Sequence, residues 1–367
     1  MDPFGFADGL GPAKVVHITE RRTGLKAILV IDNVAAGPAI GGTRMAPDVT
    51  SAECFRLARA MTLKNAAAGL PHGGAKAVIQ ADPTMDPASK EQLIRAFACA
   101  LSDLPDYIPG PDMGTDELAM GWVHDEIGRA VGLPAELGGI PLDQLGATGF
   151  GLAAAVQVAA ERVGLDLAGA RVAVQGFGSV GRHTAAFLAE QGAVLVGASD
   201  SAGAIVDPEG LDIAALVASK RDGVRLAEQP AGQKIPRDDL IGVDCDIWVP
   251  AARPDAIRAD NVDRLTARIV AQGANIGVSA EAEEHLHARD VLSLPDFIGN
   301  AGGVICGSVE YHGGTRSQAF AAIDERIRGN VAEVLDRAAA ERVPPVHAAR
   351  EMALARVRRA MQTRRWA

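Results

Sequence analysis

The feature that most constrains the fold is a glycine-rich segment between an apolar strand pattern and a helical pattern. Residues 176–181 have the spacing G-x-G-x-x-G. Residues 171–175 before them are predicted to form a buried strand, residues 180–191 a helix, and residues 193–199 a second strand. A strand, helix and strand of these lengths form a right-handed β-α-β unit of a parallel sheet. This context indicates a Rossmann-type, dinucleotide-binding domain.

The same glycines predict how a dinucleotide would be held. Gly176 would allow a tight turn, Gly178 would let the pyrophosphate approach the backbone, and Gly181 would let the helix pack closely on the strand. The phosphates would then lie at the helix N-terminus, where free N–H groups favour negative charge. The remaining loop residues are expected to contact the cofactor as well: Phe177, Ser179 and Val180.

An acidic residue follows the second strand of this unit. Asp200 lies about 20 residues beyond the glycines, where a carboxylate is expected to bind the adenosine ribose. A carboxylate at this position would repel a 2′-phosphate, so the sequence favours NAD over NADP as the cofactor.

Composition limits the other functional classes. A chain of 367 residues exceeds the usual size of one hydrophobic core, so two domains are expected. A net charge of −10 disfavours nucleic-acid and anionic-membrane partners. The apolar runs are too short to span a membrane and no signal peptide is evident, which predicts a cytoplasmic protein. The four cysteines are scattered, and His285 and His287 lack further ligands nearby, so no metal site is predicted.

Two lysines and an aspartate are candidate catalytic residues. Lys64 lies on the apolar face of a helix that is predicted to start at Thr50, and Lys76 follows a glycine-rich turn. Asp112 lies in a rigid segment of proline and glycine. A buried ammonium group needs an anion, and burial beside another cation can turn a lysine into a usable base. The alternatives are a lysine that extends to solvent, an ordinary loop lysine, and an Asp112 or Thr115 that merely caps a helix.

Residues 70–83, Leu-Pro-His-Gly-Gly-Ala-Lys-Ala-Val-Ile-Gln-Ala-Asp-Pro, resemble the active-site signature of the glutamate/leucine/phenylalanine/valine dehydrogenase family. The resemblance extends from about Leu25 to about Glu310, and the length and the Gly-Gly-Thr-Arg-Met form look closest to the leucine/valine/phenylalanine branch. Four further segments are similar to that family and occur in the same order: 37–45, 111–115, 147–151 and 300–303.

The resemblance implies a role for each matching residue. Lys64 would bind the substrate α-carboxylate, Lys76 would be a low-pKa lysine that activates water, and Asp112 would exchange protons with the substrate nitrogen. Other positions would contact the ligands: Ile40, Gly42, Asn275 and Asn300 the substrate, and Thr148, Ala251 and Asn275 the cofactor. The implied reaction is reversible, NAD-dependent oxidative deamination of an L-amino acid to a 2-oxo acid and ammonia.

The residues that bear on the side chain of the preferred substrate point in two directions. Glutamate-specific members carry a lysine immediately before Gly-Gly, where this chain has Ile40. A pocket without that cation should favour an apolar side chain. In the other direction, residues 111–115 resemble the glutamate branch, and His312 lies near a glutamate-contact position. Glutamate dehydrogenase is therefore the first alternative, and a catalytically inactive, dinucleotide-binding regulatory protein is the second.

The predicted architecture is α/β with two domains and a cleft between them. Residues 1–135, with the C-terminal helices from about 325 to 367, would form a substrate-binding, catalytic and oligomerisation domain with a mixed sheet. Residues 136–324 would form the Rossmann domain. By resemblance, the protein would be a homo-oligomer.

Overall fold

The computed structural model describes residues 5–364, and the chain divides into two compact units. The first unit comprises Met1–Leu142, Val304–Ala322 and Arg350–Ala367, and the second comprises Asp143–Gly303 and Ile323–Ala349. Each unit contains one β-sheet with helices packed on it. The prediction of an α/β fold with two domains is therefore confirmed.

The first unit contains a five-stranded sheet with the strand order β1-β2-β4-β3-β5. β2 pairs antiparallel with β1 and β4, whereas β3 pairs parallel with β4 and β5, so the sheet is mixed as predicted. Its strands are β1 (Lys14–Glu20), β2 (Leu25–Asn33), β3 (Ala39–Ala46), β4 (Gly73–Gln80) and β5 (Tyr107–Pro111). Its first helices are α1 (Ser51–Ala67), α2 (Pro87–Ala100) and α3 (Glu117–Ile127).

The helix starts in this unit test the capping predictions. Thr50 caps α1 by accepting a hydrogen bond from the Glu53 N–H, as predicted. Ser89 followed by Gln92 three residues later predicts that Ser89 caps α2, and this prediction is wrong. Asp86 caps that helix, and Pro87 is its first residue. An N–H at this position would have no partner within the helix, so proline loses no hydrogen bond there.

The second unit contains a seven-stranded sheet with the order β12-β11-β10-β6-β7-β8-β9. The strands from β12 to β7 are parallel, and β8 and β9 extend the sheet antiparallel. Its strands are β6 (Arg171–Gln175), β7 (Val194–Ser199), β8 (Ala204–Val206), β9 (Gln233–Ile235), β10 (Ile247–Pro250), β11 (Ile269–Ala271) and β12 (Leu292–Leu294). The helices from residue 142 to residue 299 are α4 (Leu142–Leu145), α5 (Ala147–Val163), α6 (Ser179–Ala189), α7 (Ile213–Arg221), α8 (Ala280–Ala288) and α9 (Asp296–Gly299).

Three helices close the chain: α10 (Gly302–Tyr311), α11 (Arg316–Glu341) and α12 (Pro345–Gln362). α11 contributes to the second unit because Ile323 and Ile327 face Gly151 of α5, where a Cβ atom would overlap the Ile327 side chain. The compact units thus differ from the predicted ranges around residues 304–349. As functional domains, residues 1–135 with about 325–367, and residues 136–324, stay a prediction.

Each unit has its own apolar core. In the first unit, Leu29 and Ile31 of β2 pack with Ile94 and Phe97 of α2, and all four are fully buried. In the second unit, Trp248 of β10 lies in a cluster of buried residues that spans several strands and helices. Among residues 5–364, no helix is long and apolar enough to cross a membrane.

Candidate active site

The first unit brings Lys76 and Asp112 into direct contact. Lys76 lies on β4, Asp112 directly follows β5, and β3 runs between these two strands. The Lys76 Nζ donates a hydrogen bond to Asp112 Oδ2, and Lys76 is only 4% exposed. The sequence placed Lys76 after a turn. The structure corrects this, because Gly73 and Gly74 are already part of strand β4.

Arg44 is a third member of this cluster, which the sequence interpretation missed. Its Nε donates to Asp112 Oδ1 at 3.0 Å, and its Nη1 donates to Glu53 Oε1 of α1 at 2.5 Å. The signal was available, because Arg44 belongs to the Gly-Gly-Thr-Arg-Met segment that carries part of the resemblance. The Asp112 carboxylate is therefore flanked by a cation on each oxygen.

The charges around Asp112 decide its protonation state. Burial alone would raise the pKa of this carboxyl group, but the positive charges of Lys76 and Arg44 and a hydrogen bond from the Met113 N–H outweigh burial and lower the pKa below its ordinary value. Asp112 is thus ionised at neutral pH and is in the form that accepts a proton.

The alternative interpretation of Asp112 and Thr115 as helix caps is wrong. Asp116 caps α3 by accepting a hydrogen bond from the Ala119 N–H at 2.9 Å. The Thr115 hydroxyl instead donates to the Thr43 carbonyl at 2.7 Å and accepts from the Asp112 N–H at 3.0 Å. Thr115 therefore fixes the segment that carries Asp112 to strand β3.

Gly42 of β3 lies in close contact with the charged cluster. A Cβ atom on Gly42 would lie 2.6 Å from Asp112 Oδ2 and 3.1 Å from Lys76 Nζ, so the two charged groups approach the strand as closely as only glycine allows. Side chains two positions apart on a strand share a face, so Ile40 lies on the face of β3 that the Lys76–Asp112 pair contacts. Ile40 is 3% exposed and forms a buried apolar cluster with Ile108 and Val131. An apolar wall therefore lies close to the Lys76–Asp112 pair.

Lys64 is half-buried in the last turn of α1, which packs on the strand that carries Lys76. The approach is so close that a Cβ atom on Gly74 of β4 would overlap the Thr62 backbone. The adjacent Asn65 is fully buried and its side chain donates to the carbonyls of Gly73 and Ile40 at 2.6 and 3.2 Å. These hydrogen bonds connect the end of α1 to strands β3 and β4.

In the second unit, the glycine-rich loop has the geometry that a dinucleotide phosphate requires. Gly176 adopts φ +97°, a left-handed conformation that favours glycine, and a Cβ atom on Gly181 would overlap the Gly176 carbonyl. Gly178 is the N-cap of α6 and makes no side-chain cap, and nothing lies within 4 Å of a Cβ atom built on it. Because glycine has no side chain, the N-cap residue does not occupy the first N–H groups of α6. These N–H groups can donate to an anion, so the loop fits one.

The other predicted cofactor contacts lie where the parallel strands end. Asp200 follows β7, Ala251 follows β10 and Asn275 lies four residues after β11, while Thr148 is the second residue of α5. The carboxyl ends of parallel strands are where ligands bind in open α/β sheets. Within the loop, Ser179 and Val180 start α6 and Phe177 is buried.

The structure also joins Asn275 and Asn300, which the sequence paired only by resemblance. The Asn300 amide donates to Asn275 Oδ1 at 3.1 Å and to the Gly273 carbonyl at 3.3 Å. Asn300 is 3% exposed, and its Oδ1 is buried without a hydrogen-bond partner within the described chain. A buried acceptor without a partner is costly, so this oxygen fits a donor group of a ligand.

A buried carboxyl group supports the segment that leads to Asn275. Glu283 of α8 accepts hydrogen bonds from Gln272 Nε2 at 2.6 Å and from the Ser293 hydroxyl at 3.1 Å, and the Gln272 Oε1 accepts from the Val278 N–H. Burial raises the pKa of Glu283 from 4.5 to about 7, because the two hydrogen bonds offset only part of the desolvation.

We therefore expect Glu283 to make the free energy of unfolding depend on pH. The folded pKa lies above the unfolded one, so the contribution is fully present below pH 4.5 and is lost as the pH rises through about 7. Glu283→Gln should remove up to about 3 kcal/mol of the decline in unfolding free energy between pH 5 and 8. Urea unfolding at both pH values measures this, with Glu284→Gln, the exposed neighbour, as the matched control. An equal pH slope in wild type and Glu283→Gln would refute the assignment.

Comparison with known proteins identifies the family. The model of the glutamate/leucine/phenylalanine/valine dehydrogenases matches residues 138–365, and the model described as the dimerisation domain of the same enzymes matches residues 12–129. The chain belongs to this family. The family members are amino acid dehydrogenases, so the predicted reaction class is confirmed, whereas the predicted leucine/valine/phenylalanine branch is not resolved.

Similar proteins cover most of the chain. A glutamate dehydrogenase of Aeropyrum pernix is 38% identical over 91% of this chain and 85% of its own length. The solved hetero-hexameric glutamate dehydrogenase of Thermus thermophilus has a TM-score of 0.87 at 31% identity and covers 96% of this chain and 90% of its own. The L-tryptophan dehydrogenase of Nostoc punctiforme has a TM-score of 0.73 at 26% identity, with 96% and 97% covered.

The relatives differ in cofactor. A catabolic NAD-specific glutamate dehydrogenase of Bacillus subtilis is 36% identical over 76% of this chain and 68% of its own. An NADP-specific glutamate dehydrogenase of Saccharolobus shibatae is 35% identical over 76% and 69%. The family therefore uses a nicotinamide dinucleotide. The curated relatives favour the glutamate alternative over the apolar substrate that the sequence favoured.

Proposed function

We propose that this family member catalyses oxidative deamination of an L-amino acid to the 2-oxo acid and ammonia with a nicotinamide dinucleotide. The observation that carries the proposal is the largely buried Lys76–Asp112 pair, which lies against Gly42 of β3. Lys76, in its neutral amine form, would orient the attacking water and take its proton, Asp112 would exchange protons with the substrate nitrogen, and Lys64 would bind the α-carboxylate. The 176–181 loop would hold the pyrophosphate of the dinucleotide, whose nicotinamide would supply the acceptor for the hydride of the α-carbon.

Glutamate is the first candidate substrate. It is supported by the names of the curated relatives and by the resemblance of residues 111–115 to the glutamate branch. An apolar amino acid is the second candidate, and one observation favours it. Ile40 takes the place of the family lysine and is buried with Ile108 and Val131, so this wall offers no charge to a side-chain carboxylate.

A substrate panel tests the proposal. The purified protein is assayed for dinucleotide reduction with glutamate, leucine, valine, phenylalanine and tryptophan, each with NAD and with NADP. Turnover with any of them supports the amino acid dehydrogenase, and the ratio of kcat/KM for glutamate and leucine separates the two candidates. Absence of turnover across the panel, with dinucleotide still bound, would instead favour the regulatory protein.

Ile40→Lys should shift the preference towards glutamate. A lysine at this position adds a cation on the face of β3 that the Lys76–Asp112 pair contacts at Gly42, so we expect the glutamate-to-leucine ratio of kcat/KM to rise at least about tenfold, equivalent to roughly 1.4 kcal/mol. Ile40→Leu, which keeps the volume and lacks the charge, is the control. An unchanged ratio in a folded Ile40→Lys protein would remove Ile40 from the substrate-binding residues.

A homo-oligomer is the proposed assembly. It is supported by the match of residues 12–129 to a domain described as a dimerisation domain. A cytoplasmic location also stays a prediction from the sequence. Size-exclusion chromatography with light scattering measures the subunit number.

A further inference from the structure

Asp200 is not a free carboxylate, although its position after β7 predicts a contact with the adenosine ribose. Its Oδ2 accepts hydrogen bonds from the Lys220 Nζ at 2.8 Å and from the Leu226 N–H at 3.0 Å. Its Oδ1 accepts from the Ala202 N–H at 2.9 Å. A carboxylate has about four acceptor positions, so three are already used within the protein.

The ion pair is partly shielded from solvent. The Asp200 side chain is 9% exposed and that of Lys220, in the last turn of α7, is 24% exposed. Burial would raise the pKa of Asp200, but Lys220 and the two backbone N–H groups outweigh this and lower the pKa, so the carboxylate stays ionised. The pair therefore has a net charge close to zero at neutral pH. A 2′-phosphate that approaches it meets a cation together with the anion.

We propose that Lys220 is a cofactor-selecting residue that allows this chain to bind NADP as well as NAD. The inference rests on the proposed function, because it assumes that the adenosine ribose of a dinucleotide lies at the end of β7. With NAD bound, Lys220 stays on Asp200, and the fourth acceptor position of the carboxylate is left for a ribose hydroxyl. With NADP bound, the flexible Lys220 side chain turns its ammonium group to the 2′-phosphate.

Two backbone N–H groups stabilise the Asp200 carboxylate when Lys220 moves from it to the phosphate. When Lys220 moves to the phosphate, the N–H groups of Leu226 and Ala202 still donate to both carboxylate oxygens. The buried charge is thus never left without partners, which would be strongly destabilising. The sequence prediction that Asp200 repels a 2′-phosphate treated the carboxylate as isolated, and Lys220 lies 20 residues further along the chain.

The test measures the binding of NADH and NADPH by titration calorimetry without any amino acid. We expect wild type to bind both with dissociation constants within about tenfold of each other. Lys220→Met should weaken NADPH binding at least about tenfold and NADH binding less than about threefold, because it removes the cation and leaves the anion. Lys234→Met is the matched control. The Lys234 side chain is exposed, and the hydrogen bonds it donates within residues 5–364 go to the backbone carbonyls of Ala231 and Gly232.

The double variant gives a second readout that a merely structural role would not produce. Asp200→Asn should strengthen NADPH binding because it removes the anion, and the double variant with Lys220→Met should bind NADPH at least about tenfold more weakly than Asp200→Asn alone, because Lys220 contacts the phosphate and does not act only through Asp200. Equal losses of NADH and NADPH affinity in Lys220→Met, or no loss, would overturn the role of Lys220 alone. Failure of wild type to bind either dinucleotide would overturn the proposed function and this inference together.

Discussion

Lys76→Ala is expected to lower kcat for amino-acid oxidation by about 10²- to 10⁴-fold, the range that a positioned general acid or base contributes. The Lys76 Nζ lies on the carboxylate of Asp112, and both groups are in close contact with Gly42. Binding of NADH should stay within about twofold of wild type, because the glycine-rich loop belongs to the other compact unit. Steady-state kinetics and a dinucleotide titration measure both quantities.

Lys26→Ala is the matched control for Lys76→Ala. Lys26 lies on β2 of the same sheet and is exposed, so its removal should leave kcat unchanged. Loss of Lys76 also removes one of the two cations that flank Asp112 and leaves Arg44, so the unfolding temperature is measured alongside. A folded Lys76→Ala enzyme that keeps more than about a tenth of wild-type kcat would contradict the assignment of Lys76 as the base.

Gly42→Ala is expected to lower kcat/KM on the order of 10²-fold while the protein stays folded. The added methyl carbon would lie 2.6 Å from Asp112 Oδ2 and 3.1 Å from Lys76 Nζ, closer than van der Waals contact allows. Both side chains can shift to make room, but a displacement of about 1 Å in a catalytic group can cost about a hundredfold in rate. Kinetics with the preferred amino acid and circular dichroism measure the two properties.

Gly41→Ala is the informative comparison because it adds the same methyl group one residue earlier. Its Cβ atom would overlap the carbonyl oxygen of Ala75, which is backbone of the adjacent strand and cannot rotate away. We therefore expect Gly41→Ala to destabilise the sheet itself, with a large drop in unfolding temperature. If Gly42→Ala kept wild-type kcat/KM, the close contact between Gly42 and the Lys76–Asp112 pair would not be needed for catalysis.

Glycines illustrate why part of the site could not be predicted. Gly73 and Gly74 indicated a turn before Lys76, because glycine in a sequence often marks a turn. Glycine also permits close approach of another chain segment, and Gly74 serves that purpose against Thr62 of α1. The sequence shows the residue type but not which of the two reasons applies.

The helix ends show the same distinction at shorter range. Thr50 and Glu53 are three residues apart, and the cap at Thr50 forms as predicted. The Glu53 side chain, in contrast, pairs with Arg44 on strand β3. The first interaction depends on a few residues, whereas the second depends on how α1 lies on the sheet.

The sequence by itself determined the family, the α/β class and the position of the glycine-rich loop between a strand and a helix, because these depend on short-range spacing of glycines and apolar residues. Only the tertiary structure decided the partners of the charged groups. Arg44, Lys76 and Asp112 meet because β3 lies between β4 and β5, an order that differs from their order in the chain. Likewise Asp200 meets Lys220 because α7 returns to the end of β7. Coulomb interactions depend on distance in space, so their partners are fixed only when the strands and helices have packed.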